Sequence, residues 1–167
     1  ISDGHKGIQA AAEYSFPGSS WQMCHVHFIR AVLRKLPKKQ HKEIAQLLKD
    51  SLSDPRRLQE CADELEIRGF TRAADTVERF IPGLLNYRIA PPEHWRRIRT
   101  TNMLERLNKE LKRRTRTIGA FTNDASLLRL AGNILMDINE EWITSRRYLS
   151  GSEGIVCLDT RAKFTAL

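Results

Sequence analysis

Two acidic residues far apart in the chain, Asp3 and Glu105, carry the side chains best suited to chemistry. Glu105 sits in a run of bases. Between Arg96 and Arg116 there are nine Arg or Lys residues, Arg96, Arg97, Arg99, Arg106, Lys109, Lys112, Arg113, Arg114 and Arg116, against two acids, Glu105 and Glu110. That net of +7 is nearly the whole formal charge of +8. Positive charge this dense is unfavourable unless an anion neutralises it, and nucleic-acid phosphate is the usual partner. Three roles are open to a carboxylate in such a surface. It can close a capping box, because Asn102-x-x-Glu105 has that spacing. It can pair with Lys109, four residues on. It can also hold a Mg²⁺ that bridges to phosphate. On a helix Glu105 shares a face with Asn108, Lys109, Lys112 and Arg116, away from the stripe of Leu104, Leu107 and Leu111.

Asp3 precedes Gly4, and an Asp-Gly pair is commonly a turn former. It is also where α/β folds place ligand-binding carboxylates, beyond the C-terminal ends of strands. Cys24-x-x-His27 has the spacing of half a zinc site, but no second pair completes it. A buried Cys beside a hydrogen-bonded His is the simpler reading. Residues 28–42 contain no acid, and Arg30, Arg34, Lys35, Lys38, Lys39 and Lys42 make a second basic face. There is no nucleotide-binding glycine loop and no Ser/His/Asp grouping. Aromatic residues are not interleaved with the bases, which disfavours a base-stacking single-strand binder.

The elements that must position these groups follow from punctuation and periodicity. Ile1-Ser2 reads as the end of a strand, and residues 7–14 as a short helix. Pro17-Gly18-Ser19-Ser20 is a turn, and Trp21 to Val26 a strand. Helices are expected from about His27 to before Pro37, then over 38–50, 55–68 and 70–80, with Asp54-Pro55 a start and Pro82-Gly83 a stop. Residues 50–80 hold eight acids and five bases, unlike their flanks, and read as a helical insert. After the break at Ala90-Pro91-Pro92, a helix over about 102–116 carries the bases. A last helix, about 124–147, is expected to bury Leu127, Ala131, Ile134, Leu135, Ile138 and Trp142. The 167 residues, 41% hydrophobic and 29% charged, suffice for a real core. Three widely spaced cysteines, Cys24, Cys61 and Cys157, do not form a disulfide framework and suit a reducing compartment. No signal peptide and no apolar run of membrane-spanning length is seen.

The ordered motifs Ser2-Asp3-Gly4-His5-Lys6-Gly7, Phe16-Pro17-Gly18, Trp21-Gln22-Met23-Cys24-His25-Val26-His27-x-x-Arg30 and Pro92-x-His94-Trp95 resemble those of the Mutator-type transposases of bacterial insertion sequences. The strongest is Thr100-Thr101-Asn102-x-x-Glu105-Arg106-x-Asn108-x-Glu110-Leu111-Lys112-Arg113-Arg114-Thr115. Phe121-x-Asn123-Asp124 and Glu141-Trp142 follow in order, so the likeness covers residues 1–149. Two departures stand out: Ala31 where the family usually has Asn, and Thr122 where it usually has Pro.

The resemblance implies an α/β fold class. The chain would be the C-terminal part of a ribonuclease H-like fold with a mostly helical insertion, itself predominantly α-helical. Residues 1–36 would belong to the core, 37–92 to the insertion and 93–149 to the core resumed. Residues 150–167 form a tail with no functional reading. The resemblance further implies an Asp, Asp, Glu triad, with Asp3 as the second Asp, Glu105 as the Glu, and the first Asp expected upstream. These carboxylates would hold Mg²⁺ or Mn²⁺ for DNA cleavage and strand transfer. The expected partner is double-stranded DNA, both transposon ends and target, with a homo-oligomer in the DNA complex as an option and no membrane. Arg30, Arg34, Lys35, Arg96, Arg97, Arg99, Lys109, Lys112, Arg113, Arg114 and Arg116 are the expected DNA contacts. Cys24 and His27 match a family motif whose role the sequence leaves open. The implied setting is the bacterial cytoplasm, associated with the nucleoid. The alternatives are a non-catalytic nucleic-acid-binding module from a decayed or truncated transposase, and a metal-dependent nuclease without strand transfer.

Overall fold

A computed structural model describes residues 1–144. The described residues divide into two units, 1–117 and the residues from 118 on. The described residues are predominantly helical and contain no strand beyond one isolated parallel bridge between Ser2 and Met23.

The first unit opens with helix α1, Lys6–Ser15, capped by the His5 side chain, which accepts from the Gly7 N–H at 3.2 Å. Helix α2, His25–Leu33, follows the segment around Trp21. Helices α3 (His41–Ser51), α4 (Pro55–Ile67) and α5 (Thr71–Leu84) then pack against one another and against α2. Asp54 starts α4 by accepting from the Arg56 N–H at 2.9 Å, with Pro55 in the first turn. Gly69, at φ +82°, ends it: Gly69 N–H bonds the Glu66 carbonyl and Phe70 N–H the Leu65 carbonyl, each at 2.8 Å. This is a Schellman closure, which favours glycine at the left-handed position. The core takes Met23, Phe28 and Val32 from the first segment, Ile44 and Leu48 from α3, Leu58 and Leu65 from α4, and Val77, Phe80 and Leu84 from α5. Each such side chain contributes about 1.5–3 kcal/mol through burial. Two short helical turns, Asn86–Ile89 and Pro92–His94, lead into α6, Trp95–Ile98, and then α7, Asn102–Ile118.

Two sequence expectations are corrected here. Trp21 to Val26 is not a strand: its pairing stops at the single bridge to Ser2, α2 already begins at His25, and other hydrogen bonds of the segment go to a helix end. Met23 N–H bonds the Gly83 carbonyl at 2.8 Å, and Gln22 Nε2 the Leu84 carbonyl at 2.9 Å. His25 Nε2, 2.9 Å from the same Leu84 carbonyl, must carry the proton, since a carbonyl only accepts. These contacts satisfy the free carbonyls at the C-terminus of α5. They also explain the second correction. Pro82-Gly83 does not stop the helix, and α5 runs through Pro82 to Leu84. Packing of Phe80, Gly83 and Leu84 outweighs the bond that proline removes.

Close packing also fixes the chain around Asp3. A Cβ on Gly4 would lie 2.3 Å from the Phe80 ring, and one on Gly83 would lie 2.4 Å from the Trp21 ring. Trp21 is itself held by its Nε1–H bond to Ser2 Oγ at 2.8 Å. Gly83→Ala is therefore expected to lower stability by about 1–3 kcal/mol through overpacking, read as a lower urea midpoint at unchanged slope. An unchanged midpoint would show that the indole moves aside freely.

In the second unit helix α8 spans Asp124–Thr144, and any continuation towards 147 lies outside the described residues, as does the tail 150–167. Of the six side chains expected to be buried only Ile134 is. Leu127 and Leu135 are exposed, while Ala131, Ile138 and Trp142 are half-buried. The described residues of this unit supply no second helix to cover the stripe.

Candidate active site

Asp3 and Glu105 are reached from one residue between them. Ser2 and Met23 form the parallel bridge, and the Ser2 carbonyl accepts from Cys24 N–H at 2.9 Å. Cys24 thus holds the residue next to Asp3 through its backbone. On its other side, Cys24 Sγ lies 3.4 Å from Thr101 Oγ1 and accepts from Thr101 N–H at 3.4 Å. The neighbouring His25 N–H bonds the Arg99 carbonyl at 3.0 Å. The start of α2 therefore carries both the Asp3 segment and the head of α7.

Glu105 lies in the first turn of α7 and is exposed. Its Oε1 accepts from Thr101 Oγ1 at 3.2 Å and stands 3.7 Å from His27 Nε2, across from α2. Among the described residues its Oε2 has no hydrogen-bond or ion-pair partner. The capping box centred on Asn102 does not form: Asn102 is the first helical residue, and Glu105 N–H bonds the Thr101 carbonyl. No ion pair with Lys109 forms either. Of the three roles open to Glu105, the two bland ones are therefore unfilled. Asp3 does make a turn contact, its Oδ1 accepting from His5 N–H at 3.3 Å, and is otherwise exposed.

Burial pushes the Cys24 thiol up, but its interactions with Thr101, whose backbone N–H donates to the sulfur, and with His27 outweigh it and leave it lowered to about 7. Burial lowers His25; the Leu84 carbonyl opposes this and the Arg99 charge adds to it, so the ring is held neutral. His27 Nδ1 is buried and has no hydrogen-bond partner among the described residues.

The bases divide into committed and uncommitted groups. Glu105, Asn108, Lys109, Lys112, Arg113 and Arg116 line one open depression, the face that helical spacing predicts plus Arg113. Glu110 takes Arg113 through two bonds, Nε at 2.9 Å and Nη2 at 2.7 Å, and Arg114 Nε at 2.8 Å. Hydrogen bonds from these two arginines bring the Glu110 carboxyl down to about 2. Two arginines thus share one carboxylate, and their combined charge is partly offset rather than free. His27 and Arg30 on α2 and Arg34 at its C-cap follow one another at spacings of three and four, and Lys35 is exposed beyond them. Arg96 and Arg99 are exposed near α6, while Arg97 is half-buried.

The donor chemistry of Asp3 and Glu105 suits a hard divalent ion, because both are carboxylates with oxygen lone pairs left unused. The set is incomplete, since among the described residues no group of three or more His, Cys, Asp or Glu side chains converges on a metal position.

The sequence model of the Mutator family of transposases matches residues 1–145. The chain belongs to that family. Among relatives of this Mutator-family chain, the transposase for insertion sequence element IS256 in transposon Tn4001 of Staphylococcus aureus is 34% identical over 158 residues, covering 90% of this chain and 40% of the relative. The transposase for insertion sequence element ISRM5 of Rhizobium meliloti is 36% identical over 157 residues, covering 90% and 39%. The transposase for insertion sequence element IS1081 of Mycobacterium tuberculosis is 31% identical over 159 residues, covering 89% and 37%. The chain thus spans about 40% of the length of these relatives. No solved structure matches. Among the described residues of this Mutator-family chain, no helix is long and apolar enough to cross a membrane.

Reading the sequence alone misses Thr101 as a contact of Glu105. The signal was available, since a Thr just before a helix is a favoured cap. Nothing in the sequence announces that Cys24 is its neighbour across 77 positions.

Proposed function

We propose that this chain carries two of the three metal-binding carboxylates of a DNA transposase, Asp3 and Glu105, on the C-terminal part of a ribonuclease H-like fold with residues 37–92 inserted. The observation that carries the reading is the position of Glu105. It heads a helix whose same face presents Lys109, Lys112 and Arg116, and it is tied through Thr101 and Cys24 to the residue preceding Asp3. The family membership supports it.

In this reading the uncommitted bases of α7 and α2 take the phosphates of duplex DNA. They position the strand without reading its bases. Asp3 and Glu105, with a third carboxylate from outside these residues, hold Mg²⁺ or Mn²⁺. When bound, the ions supply charge that activates the attacking hydroxyl and stabilises the leaving oxygen. Glu105 presents Oε2 to that position while Oε1 stays with Thr101 and His27. Among the described residues the ligand set is incomplete, so in this reading duplex binding by residues 1–167 is expected without cleavage.

The test uses the full-length protein on supercoiled plasmid. Nicking and joining should appear with Mg²⁺ or Mn²⁺, vanish with a chelator, and vanish in Asp3→Asn. Cleavage that survives the chelator, or that survives Asp3→Asn at the parent rate, would defeat the assignment.

Glu110 supplies a test of the binding half alone. Glu110→Gln removes the carboxylate that engages Arg113 through two bonds. Duplex affinity at low salt should rise several-fold, and the dependence of log affinity on log salt should steepen by about 0.9 per phosphate gained. A weaker, flatter dependence would mean that the cluster holds the helix in shape rather than holding charge back.

A further inference from the structure

We infer that Thr101, Cys24 and His27 are the positioning residues of Glu105, a role that rests on the proposed metal-binding part of Glu105. The hydroxyl of Thr101 has one proton, and its bond to Glu105 Oε1 uses it. The 3.4 Å contact between Cys24 Sγ and Thr101 Oγ1 then has the sulfur as donor when it carries its proton. The three groups form a directed series, thiol to hydroxyl to carboxylate. It fixes which carboxylate oxygen is held and which is left to face outward. His27 adds a second hold on the same oxygen from α2, at 3.7 Å.

The series starts on a rigid base. Cys24 is fully buried, its N–H is bonded to the Ser2 carbonyl and its carbonyl accepts from Phe28 N–H at 2.9 Å. Sγ also accepts from the Thr101 backbone N–H, so the side chain grips the cap residue at two atoms. Cys24 is in this way common to the segments carrying both carboxylates. A shift of the sulfur relative to Ser2 changes the distance between Asp3 and Glu105. The spacing Cys24-x-x-His27 serves this directly. Three residues at the start of a helix place the sulfur towards Thr101 and the imidazole towards Glu105, one turn further along α7. The same pair that suggests half a zinc site is used here as two grips on one helix.

Groups that orient a metal ligand typically change metal affinity or activity 10- to 100-fold when removed. The experiment uses the full-length protein, with plasmid nicking as the rate, Mn²⁺ titration as the measure of metal need, and a random-sequence duplex as the binding probe. Thr101→Val, which keeps the shape and the backbone N–H, should slow cleavage about 10- to 100-fold and raise the half-saturating Mn²⁺ concentration, with duplex affinity unchanged. Cys24→Ala should act in the same direction, and the double variant should be little worse than either single one, because the two break one series. Thr101→Ser and Cys24→Ser retain a donor at each place and should recover most of the rate and the metal response. His27→Gln, which keeps an N–H, should retain more activity than His27→Leu.

Thr101→Val at the parent rate with the parent metal need would overturn the positioning role. So would Thr101→Ser failing as badly as Thr101→Val, which covers the case in which the valine variant does not fold. These outcomes leave the carboxylate reading standing as long as Glu105→Gln is inactive. If Glu105→Gln itself cleaves normally, that reading falls first.

Discussion

Replacing Glu105 by Gln in the full-length protein should abolish metal-dependent cleavage while leaving duplex binding nearly intact. The substitution keeps the side-chain shape and an oxygen that can accept from Thr101, but it removes the negative charge that a divalent ion requires. The expected loss is about 10³-fold or more, beyond the 10- to 100-fold typical of groups that merely orient a ligand. Binding should change little, because the neighbouring bases of the same face are untouched. Removing one negative charge there should if anything tighten the hold on phosphate. Cleavage kinetics and duplex affinity measured on the same preparation decide the matter. Parent-rate cleavage by the variant would make Glu105 a structural residue of the helix start and nothing more.

Duplex affinity should fall by roughly 10³–10⁵-fold between 50 and 200 mM salt if 6–10 phosphates are contacted. Lys112→Ala and Arg116→Ala should each flatten the logarithmic dependence by about 0.9. Arg113→Ala should flatten it less, although Arg113 lines the same depression, because its guanidinium is already engaged by Glu110 through two bonds. Glu110 keeps its charge down to about pH 2, so the engagement holds over the whole working range. The sign follows from the direction of the shift. A carboxyl whose value is lowered in the folded protein contributes above its ordinary value and stops contributing as pH falls through the lowered one. Equal effects of Arg113 and Lys112 would show that DNA displaces Glu110 from its arginines.

Where helices begin was legible because the signals are local. Asp54-Pro55 starts α4 as its residue types require, and the face of α7 that carries Glu105, Lys109, Lys112 and Arg116 follows from helical spacing alone. What failed depended on distant partners. The alternation from Trp21 to Val26 has the period of a strand, but the segment pairs only once, with Ser2, and gives other hydrogen bonds to the end of α5, more than 50 positions away. The same long-range contacts carry α5 through Pro82, which local chemistry reads as a stop. Gly4 also has another purpose than its neighbour suggests. It follows Asp3 as a turn glycine would, yet what it provides is room for the Phe80 ring. Asp3 and Glu105 were each identifiable as candidates. The connection between them was not, because it runs through a sulfur and a hydroxyl whose proximity only the folded chain creates.

The pinch at Cys24 and Thr101 closes an excursion of 77 positions whose turn at Gly69 faces open space. Closure entropy grows only with the logarithm of length, so doubling such an excursion costs about 0.6 kcal/mol. New sequence placed just after Gly69, with the glycine kept for its φ of +82°, would lengthen the detour without moving its two ends. The hairpin tip is thus a port for grafted cargo: a fluorescent module or an epitope could be carried there as a tracer of the protein on DNA.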